Sequence, residues 1–318
     1  MIERVYRFGK DGCLVGVLTE PEVEVYKEGT PIVLLMPAGR IHRVGPHRLN
    51  VTLARQLASL GFMSFRFDLG GIGDSETPRD SKPSEERAVD EIREAMNFLS
   101  RNKGVGQFVP VGLCSGADDA FRVAIVDPRI VAAVLIDGYA YRTWGFYARH
   151  YLRRSRHYGQ CLLNLSKWQV LFKRVYSKVS ASNHGSTVEG EADFRILPQK
   201  KTVIVELKKM IERDVNLLFI YTIGLPDYYN YQDQFYDMFG SIDFRGKVQY
   251  QYFGEANHIF TLASDRNRLI QSICAWMQAR YLPRKEEWEV EQTEINRTAL
   301  GQVCAGSSTA SAVSRIVS

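Results

Sequence analysis

Residues Gly112-Leu113-Cys114-Ser115-Gly116 set one nucleophile between two glycines, with an apolar run, Gln107 to Val111, ahead of them and a helix-forming run, Ala117 to Val126, behind. A strand, a tight turn and a helix are what hold a nucleophile at the crest of a strained bend. Glycine is needed on each flank because a side chain there would strike the adjoining strand or helix. A cysteine at that crest attacks as a thiolate, the form that a helix N-terminus and a neighbouring imidazole favour. The chemistry this implies is acyl transfer through a thioester on the enzyme. Ser115 is the rival nucleophile, but centring the turn on it would put Leu113 where a small residue is wanted. Its backbone N–H has the better use, aimed at the reacting carbonyl oxygen.

The elements that would position Cys114 are readable on both sides of it. Glu3 to Phe8 and Leu14 to Leu18 form a leading hairpin around Gly9-Lys10-Asp11-Gly12, and Pro31 to Met36 is a buried strand ending in Pro37-Ala38-Gly39. Leu49, Leu53, Leu57 and Leu60 mark a helix closed by Gly61, and Phe62 to Phe67 is the next strand. Ser84 opens a helix with an apolar stripe at Ile92, Ala95, Met96 and Leu99, and Ile130 to Ile136 is again wholly apolar. Lys201 to Arg213 and Leu262 to Tyr281 read as helices, with strands at Leu217 to Thr222 and Val248 to Phe253. Unbroken apolar runs of this kind suit a mostly parallel sheet covered on both faces.

The last two strands lead to Gly224-Leu225-Pro226-Asp227 and to Asn257-His258. Nucleophile, acid and histidine in this order resemble the α/β-hydrolase superfamily over roughly residues 1 to 282, with cysteine where serine is usual. The Pro-Ala-Gly loop followed by His42-Arg43-Val44-Gly45-Pro46-His47-Arg48 is similar to the esterase and exosortase-associated hydrolase group. Cysteine in the elbow resembles dienelactone hydrolases and some thioesterases.

The resemblance implies an α/β-hydrolase fold, with a helical lid inserted after the sixth strand. It also implies a triad of Cys114, His258 and Asp227, in which the histidine moves the proton and the carboxylate fixes the imidazole tautomer. Asp137, just after the sixth strand, is the alternative acid. The oxyanion hole would pair the N–H of Ser115 with that of Gly39 or Arg40.

The strand-helix rhythm stops between Asp137 and about Pro198, which divides the chain into a core of residues 1–138 and 199–282, a lid of 139–198 and a low-complexity tail of 283–318. In the lid Tyr139, Tyr141 and Trp144 would line an acyl pocket or pack the lid itself, and Arg43 would meet a substrate carboxylate or phosphate. From Tyr139 to Val215 there are fifteen Lys or Arg against six Asp or Glu, on a chain whose net charge is only +5. That patch is either a solvated face or a docking surface for an acidic acyl or peptidyl carrier protein.

Several classes are excluded. Five cysteines with no C-x-x-C spacing argue against a zinc site or a disulfide framework, and no phosphate-loop or dinucleotide motif is present, so neither metal nor cofactor is expected. No nucleic-acid motif accompanies the basic stretch. With no run of eighteen apolar residues and no signal-like start, no membrane span is expected, and the chain is read as cytoplasmic. The expected function is cysteine-dependent acyl transfer from a small-molecule acyl substrate, as a thioesterase or acyltransferase of a biosynthetic pathway. The alternatives are an esterase or lactone hydrolase, and a non-catalytic hydrolase-fold binding module.

Overall fold

Strands buried on both faces leave neither side to water, and the apolar runs of this chain build such strands at the centre of a sheet. The structure is a computed structural model that describes residues 1–152, 197–224 and 228–282. Its strands are β1 (Ile2–Phe8), β2 (Leu14–Glu20), β3 (Ile32–Leu35), β4 (Ser64–Phe67), β5 (Phe108–Leu113), β6 (Ala132–Ile136), β7 (Asn216–Thr222) and β8 (Val248–Phe253). They form one sheet in the order β1-β2-β4-β3-β5-β6-β7-β8. β2 runs antiparallel to both neighbours, and β3 to β8 are parallel to one another.

The helices are α1 (Leu49–Ser59), α2 (Ser84–Lys103), α3 (Ser115–Val126), α4 (Lys200–Glu212), α5 (Gln234–Phe239) and α6 (Ala263–Tyr281), and residues 144–152 are also helical. Side chains alternate along each strand, so the two faces have separate cores. On one face Ile32, Leu34, Phe65 and Phe67 join Ile92 and Leu99 of α2, Ala120 and Val123 of α3, and Val203 and Leu207 of α4. Val33 and Leu35 point the other way, towards the face that α1 covers with Leu49, Leu53 and Leu57 buried. Two compact units divide within α6. Met1–Ile270 holds the whole sheet, and the described part of Gln271–Ser318 is the end of that helix.

α5 is not anticipated from the sequence, because six residues give too few turns for a helical period to show. Most of the expected lid and the whole expected tail lie outside the described residues. The neck of that excursion is described, and it is closed. The Tyr141 hydroxyl donates to the Pro198 carbonyl at 2.8 Å, and the Tyr141 N–H donates to Met238 Sδ at 3.0 Å.

The loop after β3 is pinned to the loop after β4. Arg43 donates its backbone N–H to Asp68 Oδ1 at 2.6 Å, while its guanidinium pairs with both Asp68 and Asp74. The guanidinium expected to meet a substrate is therefore engaged by two carboxylates of the protein. Asp68 is fully buried, and a buried carboxylate without its cation is costly. Arg43→Ala is expected to lose about 3 kcal/mol of unfolding free energy, the low end for a broken buried pair because Arg43 itself is partly exposed. Urea denaturation measures this, and an unchanged midpoint would show that the tie is not holding the loop.

Candidate active site

The turn between β5 and α3 holds Cys114 at φ 57° and ψ −123°, a backbone conformation that costs roughly 1–3 kcal/mol in a residue with a side chain. The flanking glycines show how the strain is accommodated. A Cβ on Gly112 would stand 2.0 Å from the Gly116 carbonyl oxygen, and one on Gly116 would stand 2.4 Å from that of Pro37. The bend thus closes backbone against backbone, and it brings the start of α3 onto the loop after β3. The Cys114 N–H donates to the Ile136 carbonyl at 2.9 Å, which fastens the crest to the end of β6.

Asp137 is the next residue after that strand end. It is fully buried, at φ 49°, and its N–H donates to the Ile220 carbonyl of β7 at 2.8 Å. A carboxylate at such a place needs partners. Thr222 donates its backbone N–H to Oδ1 and its hydroxyl to Oδ2, both at 2.7 Å. His258 Nδ1 lies 2.8 Å from Oδ2.

His258 itself follows β8 in a loop tied by paired bonds between the Asn257 side chain and Thr261, each 2.9 Å. Its ring is hydrogen-bonded to the Cys114 side chain as well as to Asp137. With Nδ1 taken by the carboxylate, Nε2 is the nitrogen left for sulfur. Burial alone would hold the imidazole below its usual value. The hydrogen bonds to Asp137 and Cys114 and the negative charge of both groups outweigh it, pushing the pKa up to about 9.

The other candidates are placed as follows. Gly39 and Arg40 are exposed in a tight turn closed by a 2.9 Å bond from the Ile41 N–H to the Ala38 carbonyl, and Gly39 N–H donates to Ser115 Oγ at 2.6 Å. Asp227 lies outside the described residues, and the carboxylate on the imidazole is Asp137. Tyr139 is buried in the main core with its ring edge-on to Phe121, while Trp144 is 87% exposed. These two aromatics are not brought together into one pocket wall. Thr222, which no motif marks, supplies two bonds to Asp137. A polar residue closing an apolar strand beside the elbow strand's neighbour was the available signal. Among the described residues no group of three His, Cys, Asp or Glu is arranged to hold a metal, and no helix is long and apolar enough to cross a membrane.

Neither a protein-family model nor a curated protein sequence matches this chain. Solved structures do. An esterase from Pyrococcus furiosus superposes with a TM-score of 0.54 at 13% identity, covering 89% of this chain and 91% of the other. The fold is that of the α/β hydrolases. The α/β hydrolase GrgF from Penicillium is similar at 0.54 and 11%, over 88% and 98% of the two chains. A putative dienelactone hydrolase from Klebsiella pneumoniae is similar at 0.52 and 14%, over 88% and 99%. At such identities it is the α/β-hydrolase architecture that is shared, and the chemistry of this chain has to be argued from its own side chains.

The raised imidazole value links the site to stability. Because the folded pKa lies above the free value of 6.5, protonation of His258 stabilises the fold. That contribution is whole below about pH 6.5 and is lost as the pH rises through about 9. In Asp137→Asn the main upward influence is gone while burial remains, so the His258 ring should titrate well below 9 and the stability curve between pH 6.5 and 9 should flatten. An NMR titration of the ring nitrogens reads the first and denaturation at several pH values the second. A ring still titrating near 9 in the variant would contradict this account.

Proposed function

We propose that this protein transfers acyl groups through a thioester on Cys114. The observation that carries this reading is the chain of contacts from sulfur to the His258 ring and from Nδ1 to Asp137 at 2.8 Å. The hydrogen bond and the charge of Cys114 are among the causes that raise the His258 pKa, so a proton on the ring is favoured beside a negatively charged sulfur. A thiol can enter such an ion pair near neutral pH, whereas a serine hydroxyl needs its proton removed during attack. Asp137 favours that state and holds the ring's tautomer.

In this mechanism sulfur attacks the acyl carbonyl, and the developing oxyanion is received by the backbone N–H groups of Gly39 and Ser115, with Arg40 as the alternative donor in the loop. One such donor is typically worth about 10²–10³ in rate. The imidazolium then protonates the leaving group, and a thioester remains. An acceptor gives its proton to His258, attacks the thioester and releases Cys114.

A thioester carbonyl stays more electrophilic than an oxygen ester, and it exchanges with a carrier-bound thioester at little free-energy cost. Transfer to an amine, alcohol or thiol therefore suits this site at least as well as hydrolysis. The excess of positive charge between Tyr139 and Val215, ten Lys or Arg against three Asp or Glu within residues 139–198, supports an acidic acyl or peptidyl carrier protein as donor, meeting the expected lid. Hydrolysis of small esters or lactones is the second reading. It is favoured by the shared fold with an esterase and a putative dienelactone hydrolase.

A short acyl thioester is expected to add the acyl mass to Cys114 in wild-type protein. No adduct should form in Cys114→Ala, and formation should be slowed by at least 10²-fold in His258→Ala. Intact-mass spectrometry with peptide mapping measures this. Faster release on adding amines or alcohols marks a transferase, and release indifferent to them marks a hydrolase. A chain acylated by neither thioesters nor esters would be a binding module instead.

A further inference from the structure

The Gly39 amide, assigned above to the oxyanion, already has an oxygen on it. Ser115 Oγ accepts that N–H at 2.6 Å, and Ser115 is the residue next to the nucleophile. The Ser115 N–H is the first amide of α3 and has no acceptor within its own helix. A hydroxyl oxygen carried on the same residue as the second donor therefore already holds the Gly39 amide that an acyl oxygen would need.

The surroundings allow it to move. Gly39 is exposed, with no atom within 4 Å of the place a Cβ would take, and Ser115 is only half-buried. A serine hydroxyl leaves such a contact by rotation about one side-chain bond between staggered wells. A tie serving only to anchor the loop is already provided elsewhere, by Arg43 with Asp68 and Asp74 and by the close approach of Gly116 to Pro37.

We propose that the Ser115 hydroxyl is a placeholder for the acyl oxygen, occupying the Gly39 amide in the free protein and giving way when a substrate carbonyl arrives. Ser115 is thus a positioning residue as well as a backbone donor. It keeps the exposed amide satisfied and the loop aligned, and every carbonyl that binds must displace it. This rests on the acyl-transfer reading of Cys114.

Butyraldehyde tests the proposal, because its addition to the cysteine needs the same two amides. The sulfur bonds to the carbonyl carbon, the carbon–oxygen π bond breaks, the thiol proton ends on oxygen and nothing leaves. Protection of Cys114 from iodoacetamide at increasing aldehyde concentration gives the dissociation constant. Ser115→Ala, which opens the amide in advance, is expected to bind the aldehyde about three- to tenfold more tightly, the worth of one net hydrogen bond. Ser115→Thr, which keeps a hydroxyl there, should bind like wild type.

Weaker or unchanged binding in Ser115→Ala, with Cys114 still protected in wild type, overturns the placeholder and leaves the acyl-transfer reading standing. The same holds if Ser115→Thr binds as tightly as Ser115→Ala. Wild-type Cys114 that is alkylated at the same rate with and without aldehyde, and takes no acyl group from a thioester, overturns both.

Discussion

One buried carboxylate organises the site. Asp137 is out of reach of water, and such a charge persists only where its oxygens are met by donors. Thr222 fills two of those places from the end of β7, and His258 fills another. The need to satisfy the charge therefore does three things at once. It fixes the imidazole in one orientation and one tautomer, raises its affinity for a proton, and couples three adjacent parallel strands through the residues at their ends. The fit is backbone-deep, since the Asp137 N–H is itself bound to Ile220 and the Cys114 N–H to Ile136. A shift of β6 against either neighbour would disturb sulfur, carboxylate and ring together.

The strain at Cys114 is held by the same economy of contacts. Its left-handed backbone survives because two glycines let the turn close on itself and let α3 begin against the loop after β3. That approach brings the Gly39 amide onto the Ser115 hydroxyl. The loop cannot drift, because Arg43 locks it to the buried Asp68. Cys114 with Ser115, Gly39 and His258 thus come from three different loops, each fixed by contacts outside this group of residues.

Much of this was legible in the residues. Inner strands such as β3 and β6 were readable from unbroken apolar runs and the helices from stripes such as Ile92, Ala95, Met96 and Leu99, because burial on both faces or on one stripe leaves a mark in composition. The elbow was readable because two glycines and a nucleophile must be contiguous. The choice between Asp137 and Asp227 was not, since it depends on strand register. Leu113 lies opposite Ile136, and Ile136 opposite Ile220, so Cys114 and Asp137 each begin one residue beyond a matched pair. Nothing local to either aspartate records that alignment. Arg43 misled for a related reason, since a basic residue near a site attracts substrate only if no carboxylate of the protein reaches it first.

The bond between Tyr141 and Pro198 has a further consequence. Two points 57 positions apart are stitched at the base of the excursion, so the sheet encounters that segment as a closed ring with a short stem. The entropy of closing a loop grows only as the logarithm of its length, and each doubling costs roughly 0.6 kcal/mol. Once the stem is sewn, whatever hangs above it can lengthen, shorten or be replaced outright with almost no tax on the sheet. The length of chain between these two points can then change while the Cys114, His258 and Asp137 arrangement on the sheet stays as it is.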